Sequence, residues 1–245
     1  MIVGEVMTTR LVTVSPEDTL SHAANLLRQY QFHHLPVVRV LSMHKANDVG
    51  HTSPSSLRLL EGLLTSHDID LAAALGSQSS SDLLHRPWQE THVSEYMHRA
   101  IIRVTPNISV AAAAQLLAER GLSCLPVVEY ENVEDVTQAI LVGLLTRSDL
   151  LIALARSMGA FEPGVELTIS LFFGDLAPLA HTLLLASELH MQVRSVIAAP
   201  LQASVPQVAT VRLGTINPTP LLIRLQEAGI AYTFVEPEPG GNVHG

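Results

Sequence analysis

The chain has 245 residues, 47% of them hydrophobic and only 15% charged, which supplies two or three small cores and excludes a disordered chain. A formal charge of −9 excludes a general nucleic-acid binder, which gains its affinity by neutralising phosphates. The single cysteine, Cys124, excludes an internal disulfide framework and any multi-cysteine metal site, and fits a reducing, cytosolic setting.

The first ten residues carry Glu5 and no continuous apolar run, so no secretory signal is expected there. A β-rich run, Leu11 to Val14, predicts a short strand, and Pro16 a turn after it. Leu20, Ala23, Leu27 and Tyr30 fall at helical spacing on one face. Leu35-Pro36-Val37-Val38 predicts a strand with proline at its start, where a missing N–H is tolerated. The polar stretch from Leu41 to Arg58 predicts a surface loop. A second strand ends at Gly62-Leu63-Leu64-Thr65, and a helix is predicted to start at that threonine.

The pattern then repeats. Val14, Pro16, Leu26, Leu27 and the Leu-Pro-Val-Val run recur 90 positions later as Val104, Pro106, Leu116, Leu117 and Leu125-Pro126-Val127-Val128. Glu5 and Met7 recur as Glu95 and Met97. Gly62-Leu63-Leu64-Thr65 recurs 81 positions later as Gly143-Leu144-Leu145-Thr146, each followed after three residues by aspartate, Asp68 or Asp149. The first copy thus holds nine extra residues between its two blocks. Val110, Ala113, Leu117 and Arg120 take the helix-face places. Each copy reads β-α-β-β-α, too small for a comfortable core alone, so the two copies are expected to pack on each other.

Thr65-x-x-Asp68 and Thr146-x-x-Asp149 admit two readings. Each is a capping box, in which threonine and aspartate satisfy first-turn N–H groups. The same geometry also lets a carboxylate at a helix start accept bonds from a vicinal diol, while first-turn N–H groups favour a phosphate. Arg147, beside Thr146, can pair with a phosphate; the first copy has Ser66 and His67 there. His33 and His34 precede Leu35-Pro36 and offer pH-dependent charge. Adjacent residues on a strand point to opposite faces, and the twelve histidines are scattered, so no metal site is expected. Cys124 reads as a small buried apolar residue.

The paired Leu-Pro-Val-Val and Gly-Leu-Leu-Thr-x-x-Asp blocks resemble the CBS domain, which occurs in tandem as a Bateman module; the resemblance covers residues 1 to about 158. It implies a regulatory, non-enzymatic module binding adenosine nucleotides (AMP, ADP, ATP or S-adenosylmethionine), with no cofactor. Carried over, the sugar and phosphates fall to Thr65, Asp68, Thr146, Arg147, Asp149 and His34. The adenine falls to Leu11, Val12, Ile101, Ile102, Pro36 and Pro126. All of these last are equally ordinary core residues.

After Met158 the pattern changes. The greasiest stretch, Leu167 to Met191, is broken by Gly174, Asp175, Pro178, His181 and Glu188, so a membrane helix is not expected. Instead Val165–Phe173 predicts a strand, 174–190 a turn and helix, Gln192–Ala198 a strand and 200–206 a turn. Val208–Leu213 predicts a strand, Pro218–Ala228 a helix and Ile230–Val235 a last strand. That β-α-β-β-α-β order is ferredoxin-like.

Gly174-x-Leu176-x-x-Leu179 after the first strand resembles the ACT domain, which implies an amino-acid effector held by Gly174, Asp175, Leu176 and the residue before the second strand, here Gln192 where asparagine is usual. The layout is similar to that of bacterial acetoin-utilisation accessory proteins. The expected organisation is an α/β (α+β) chain: CBS domain 1 at 1–75, a linker at 76–91, CBS domain 2 at 92–158, an ACT-like domain at 164–237 and a Pro/Gly-rich flexible tail at 238–245. Both resemblances imply a homodimer and a regulated partner protein, without nucleic acid or membrane. A structural scaffold, with the Thr-x-x-Asp pairs as caps only, is the alternative.

Overall fold

The computed structural model describes residues 1–46, 52–78, 87–133, 136–198 and 205–235. Two units divide the chain, Met1–Leu150 and the part from Leu151 onward.

In the first unit, a short helix α1 (Val3–Val6) precedes α2 (Leu20–Tyr30). Thr19 caps α2, its hydroxyl accepting from the His22 N–H at 3.3 Å. Leu20, Ala23 and Leu27 are buried as the spacing predicts, and a buried leucine contributes about 1.5–3 kcal/mol. Tyr30, placed on the same face by sequence, is instead exposed; it stacks on Phe32 at 5.5 Å. The hairpin β1 (His34–Ala46) and β2 (Thr52–Thr65) follows, then α3 (Ser66–Gln78). The second copy repeats this as α4 (Val110–Glu119), capped by Ser109, then β3 (Cys124–Val133), β4 (Val136–Thr146) and the start of α5 (Arg147–Ser157), a helix that runs past the end of the unit at Leu150. The α4 face buries Ala113 and Leu117 and again loses its last member, Arg120, to solvent.

The four strands form one sheet in the order β1-β2-β4-β3, joined between copies at Leu59↔Ile140. Each hairpin carries a bulge at the same place, between Val37 and Val38 and between Val127 and Val128, across from the repeated glycines.

Three expectations are corrected. The runs Leu11–Val14 and Ile101–Val104 are not strands; each makes one bridge, Val14↔Val37 and Val104↔Val127. The polar insertion is not simply a loop. Most of it lengthens the β1–β2 hairpin, paired out to Ala46↔Thr52, and residues 47–51 lie outside the described ones. Serines and threonines satisfy a ladder through their backbones, which polarity alone does not reveal.

The third correction concerns copy boundaries, because the leading segments are exchanged. Val3 packs in the core of the second copy with Leu117, Leu125 and Leu145. Val93 and Met97 pack in the core of the first, with Leu20, Leu35 and Leu64. The hydrogen bonds match across the repeat: Val3 and Gly4 N–H donate to Ile108 and Pro106, and Val93 and Ser94 N–H to Asp18 and Pro16. The expected linker likewise ends in structure, with Trp88 against the first core; residues 79–86 are outside the described set.

The second unit has β5 (Val165–Ser170), α6 (Ala177–Glu188), β6 (Val193–Ile197), β7 (Val208–Leu213), α7 (Thr219–Glu227) and β8 (Tyr232–Val235). Its sheet is antiparallel in the order β6-β7-β5-β8, the ferredoxin-like arrangement. Alternation in β5 and β7 buries Val165, Leu167, Ile169, Ala209, Val211 and Leu213 against Leu221 and Leu225 of α7. Strand β5 stops earlier than predicted, and Phe172–Gly174 form a 3-10 turn. The turn from 200 to 206 falls largely outside the described residues, as does the tail from 236. Among the described residues no helix is long and apolar enough to cross a membrane.

Candidate functional site

Both Thr-x-x-Asp blocks are capping boxes. The Thr65 N–H and hydroxyl donate to Asp68 Oδ2 at 2.8 and 2.7 Å, and the Asp68 N–H donates back to Thr65 Oγ1 at 3.3 Å. Thr146 and Asp149 match these at 2.7, 2.7 and 3.2 Å. Such a cap contributes about 1 kcal/mol.

The bulged strands and exchanged leading segments leave two cavities, each assembled from both copies. The larger, about 430 Å³, takes Leu11, Val12, His34 and Pro36 from the first copy and Thr146 and Arg147 from the second. The smaller, about 370 Å³, takes Ile101, Ile102 and Pro126 from the second copy with Thr65 from the first. His34 and Ser123 line both, and their side chains meet at 2.6 Å, forming the partition. A wider hollow of about 540 Å³ lies between α2 and α3, but one copy alone lines it.

The two aspartates do not line either cavity. Oδ2 is held by the cap, and Oδ1 meets a residue of the exchanged segment. Thr8 donates to Asp149 Oδ1 at 3.1 Å, and His98 Nε2 lies 2.9 Å from Asp68 Oδ1. Thr8 and His98, which do line the cavities, occupy equivalent repeat positions. Sequence reading missed both, although each follows a repeated methionine. Their contact is with the opposite copy, through the bridges Thr8↔Leu144 and Leu63↔His98, and alignment of the copies cannot show that.

Electrostatics distinguish the cavities. Arg10 and Arg147 line the larger one, with His33 and His34. His33 precedes β1 instead of lying on it, so strand alternation does not separate the two histidines. Leu122 O accepts from Arg147 Nε at 2.9 Å, which fixes the guanidinium beside the first turn of α5. Thr146, Arg147 and Ser148 bring that helix start to the cavity wall, a favourable setting for an anion. Among the described residues no lysine or arginine lines the smaller cavity: Ala100 stands where the repeat has Arg10, and Ser66 where it has Arg147. Burial, with His33, pushes His34 below its usual range, against an opposing pull from Asp68. Burial alone pushes the Cys124 thiol up to about 12, so this cavity residue is an inert neutral thiol.

In the second unit, Asp175 lines a cavity of about 280 Å³ with His181, Phe172 and Ile230, and its Oδ1 accepts from the Ala177 N–H at 2.9 Å. Gly174 has φ +79°, the left-handed turn its place implies. Leu176 is half exposed and Gln192 is exposed, and of the four expected effector residues only Asp175 lines that cavity. Among the described residues no group of three His, Cys, Asp or Glu side chains could hold a metal.

The CBS domain family profile matches residues 3–50 and 93–156. The CBS domain-containing protein YhcV of Bacillus subtilis is 30% identical over 148 residues, 60% of this chain and 81% of that one. An L-aspartate semialdehyde sulfurtransferase of Methanosarcina acetivorans is 28% identical over 155 residues, 63% of this chain but 24% of its own length. Among solved structures, CBSX2 in complex with AMP is 24% identical, with a TM-score of 0.44 over 62% of this chain and 95% of that one. The duplicated blocks, the exchanged segments and the likeness to YhcV agree: the chain belongs to the CBS domain-containing proteins.

Proposed function

We propose that the first unit is a regulatory, non-catalytic sensor of an adenosine nucleotide. The observation that carries this is the larger cavity. An apolar lining of Leu11, Val12 and Pro36 suits a base, and the helix start with Arg147 and Arg10 suits phosphates. The Asp149 carboxylate stands one side chain behind this wall. Thr8 holds its Oδ1 with a rotatable hydroxyl that a ribose diol can replace. Occupation then biases the packing of the two copies, which share the His34–Ser123 partition. The ferredoxin-like unit serves as an ACT-like domain for dimerisation or a second effector, in a cytoplasmic homodimer that acts on another protein. Calorimetry with AMP, ADP, ATP and S-adenosylmethionine tests the reading; absence of heat with all four from folded protein refutes it.

The fully engaged caps favour a second reading, a scaffold in which both aspartates only secure helices. It predicts no rise in melting temperature with any nucleotide, whereas a ligand that binds the native state must raise it.

A further inference from the structure

The two cavities share a plan, and among their differences three equivalent places bear on the permanent charges and on the acidic pairs. Thr8, Arg10 and Arg147 of the larger correspond to His98, Ala100 and Ser66 on the side of the smaller. Each difference removes something a nucleotide needs. Ala100 and Ser66 delete the permanent cations. His98 does more. Its imidazole is 61% exposed, while the Asp68 side chain it contacts is only 9% exposed, so the ring covers the carboxylate from the solvent side. Asp68 is buried and its two oxygens meet Thr65 and His98. Asp149, beneath the smaller Thr8, is half-buried. A hydroxyl gives up its bond by rotating about Cα–Cβ, whereas the imidazole must swing its whole ring away from an acidic partner.

We infer that Thr8 and His98 are the residues that decide occupancy, and that the chain binds one nucleotide, in the larger cavity, while the His98–Asp68 pair keeps the smaller one closed to nucleotides. This rests on the nucleotide reading above and specifies its stoichiometry and location.

The experiment is calorimetric titration of the full chain with AMP, ADP, ATP and S-adenosylmethionine. Wild type is expected to bind one equivalent. Transplanting the three residues of the larger cavity (Ser66→Arg, His98→Thr, Ala100→Arg) is expected to raise the stoichiometry to two. The reciprocal Thr8→His is expected to abolish binding while circular dichroism and the cooperativity of melting stay at wild-type values. Two equivalents in wild type, one in the folded triple variant, or unchanged affinity in Thr8→His each overturn the inference and leave the nucleotide reading standing. No heat from wild type with any nucleotide removes both. Should the triple variant not fold, the single His98→Thr change reads the same outcome: a second, weaker binding event supports the inference and its absence overturns it.

Discussion

Replacing Gly62 by alanine probes the exchange of leading segments directly. A Cβ on Gly62 would lie 2.8 Å from the His98 carbonyl oxygen and 3.0 Å from Met97 Sδ, inside ordinary contact distance. The methionine can move, but the carbonyl cannot do so freely, because it accepts from the Leu63 N–H at 3.0 Å and the His98 N–H donates back to Leu63 at 2.8 Å. Relieving the clash moves the carbonyl by about half an ångström and weakens at least one of these bonds, for about 1 kcal/mol. Overpacking adds about 1–3 kcal/mol, so the expected loss is about 2–4 kcal/mol. At the equivalent Gly143 the new methyl would overlap Met7 Sδ, the end of a flexible side chain, so Gly143→Ala should cost less, about 1–2 kcal/mol. Shortening Met7 to alanine should recover part of that cost in the double variant. Urea denaturation at constant slope measures all four proteins. A Gly62→Ala protein as stable as wild type, or less affected than Gly143→Ala, refutes the packing account.

Three further outcomes follow from the cavities. Because the folded state holds His34 below its usual value, the unfolded chain takes up a proton first. Stability therefore falls as pH drops through about 6.5, and the loss levels off once native His34 protonates. His34→Gln should flatten the dependence of unfolding free energy on pH between about 7 and 5; an unchanged slope contradicts this. Arg147→Ala should weaken AMP by about ten- to a hundredfold, the worth of a charged hydrogen bond, and leave adenosine unaffected in calorimetry; equal losses for both ligands argue against a phosphate contact. Cys124 should resist iodoacetamide at pH 8 in the native protein and react in urea, as mass spectrometry would show. Prompt native labelling is inconsistent with its burial.

Much of this architecture was legible in the repeat. Leu20, Ala23 and Leu27 were readable as a buried face because helical spacing is local, and Thr65 and Thr146 as helix starts because a cap is local too. Alternation in Val208–Leu213 located a strand for the same reason. The failures are non-local. Leu11 and Ile101 look like strand residues, but they pack between copies on Val38, Leu60, Val128 and Leu141, where apolar character is needed without a ladder. Whether Asp68 faces a ligand depends on His98, thirty positions away and hydrogen-bonded to the opposite copy, which no periodicity encodes. Arg147 was legible beside a helix start from its neighbour Thr146, whereas Arg10 reaches the same cavity only through the fold. Gln192 shows the converse case: its position before β6 is where a sequence match puts an effector residue, yet the cavity beside Asp175 is built from the other end of the sheet.

The crossing of Val3 into one core and Val93 into the other means that neither copy can be cut from the chain with its own core complete. Neither copy covers its own Gly-Leu-Leu strand, so each is completed by lending its leading strap to the other and borrowing the other's in return. Carrying both copies on one chain makes that handshake intramolecular and independent of concentration. Because the two straps are separate stretches of one chain, one carries Thr8 and the other His98, an asymmetry that two identical subunits could not hold.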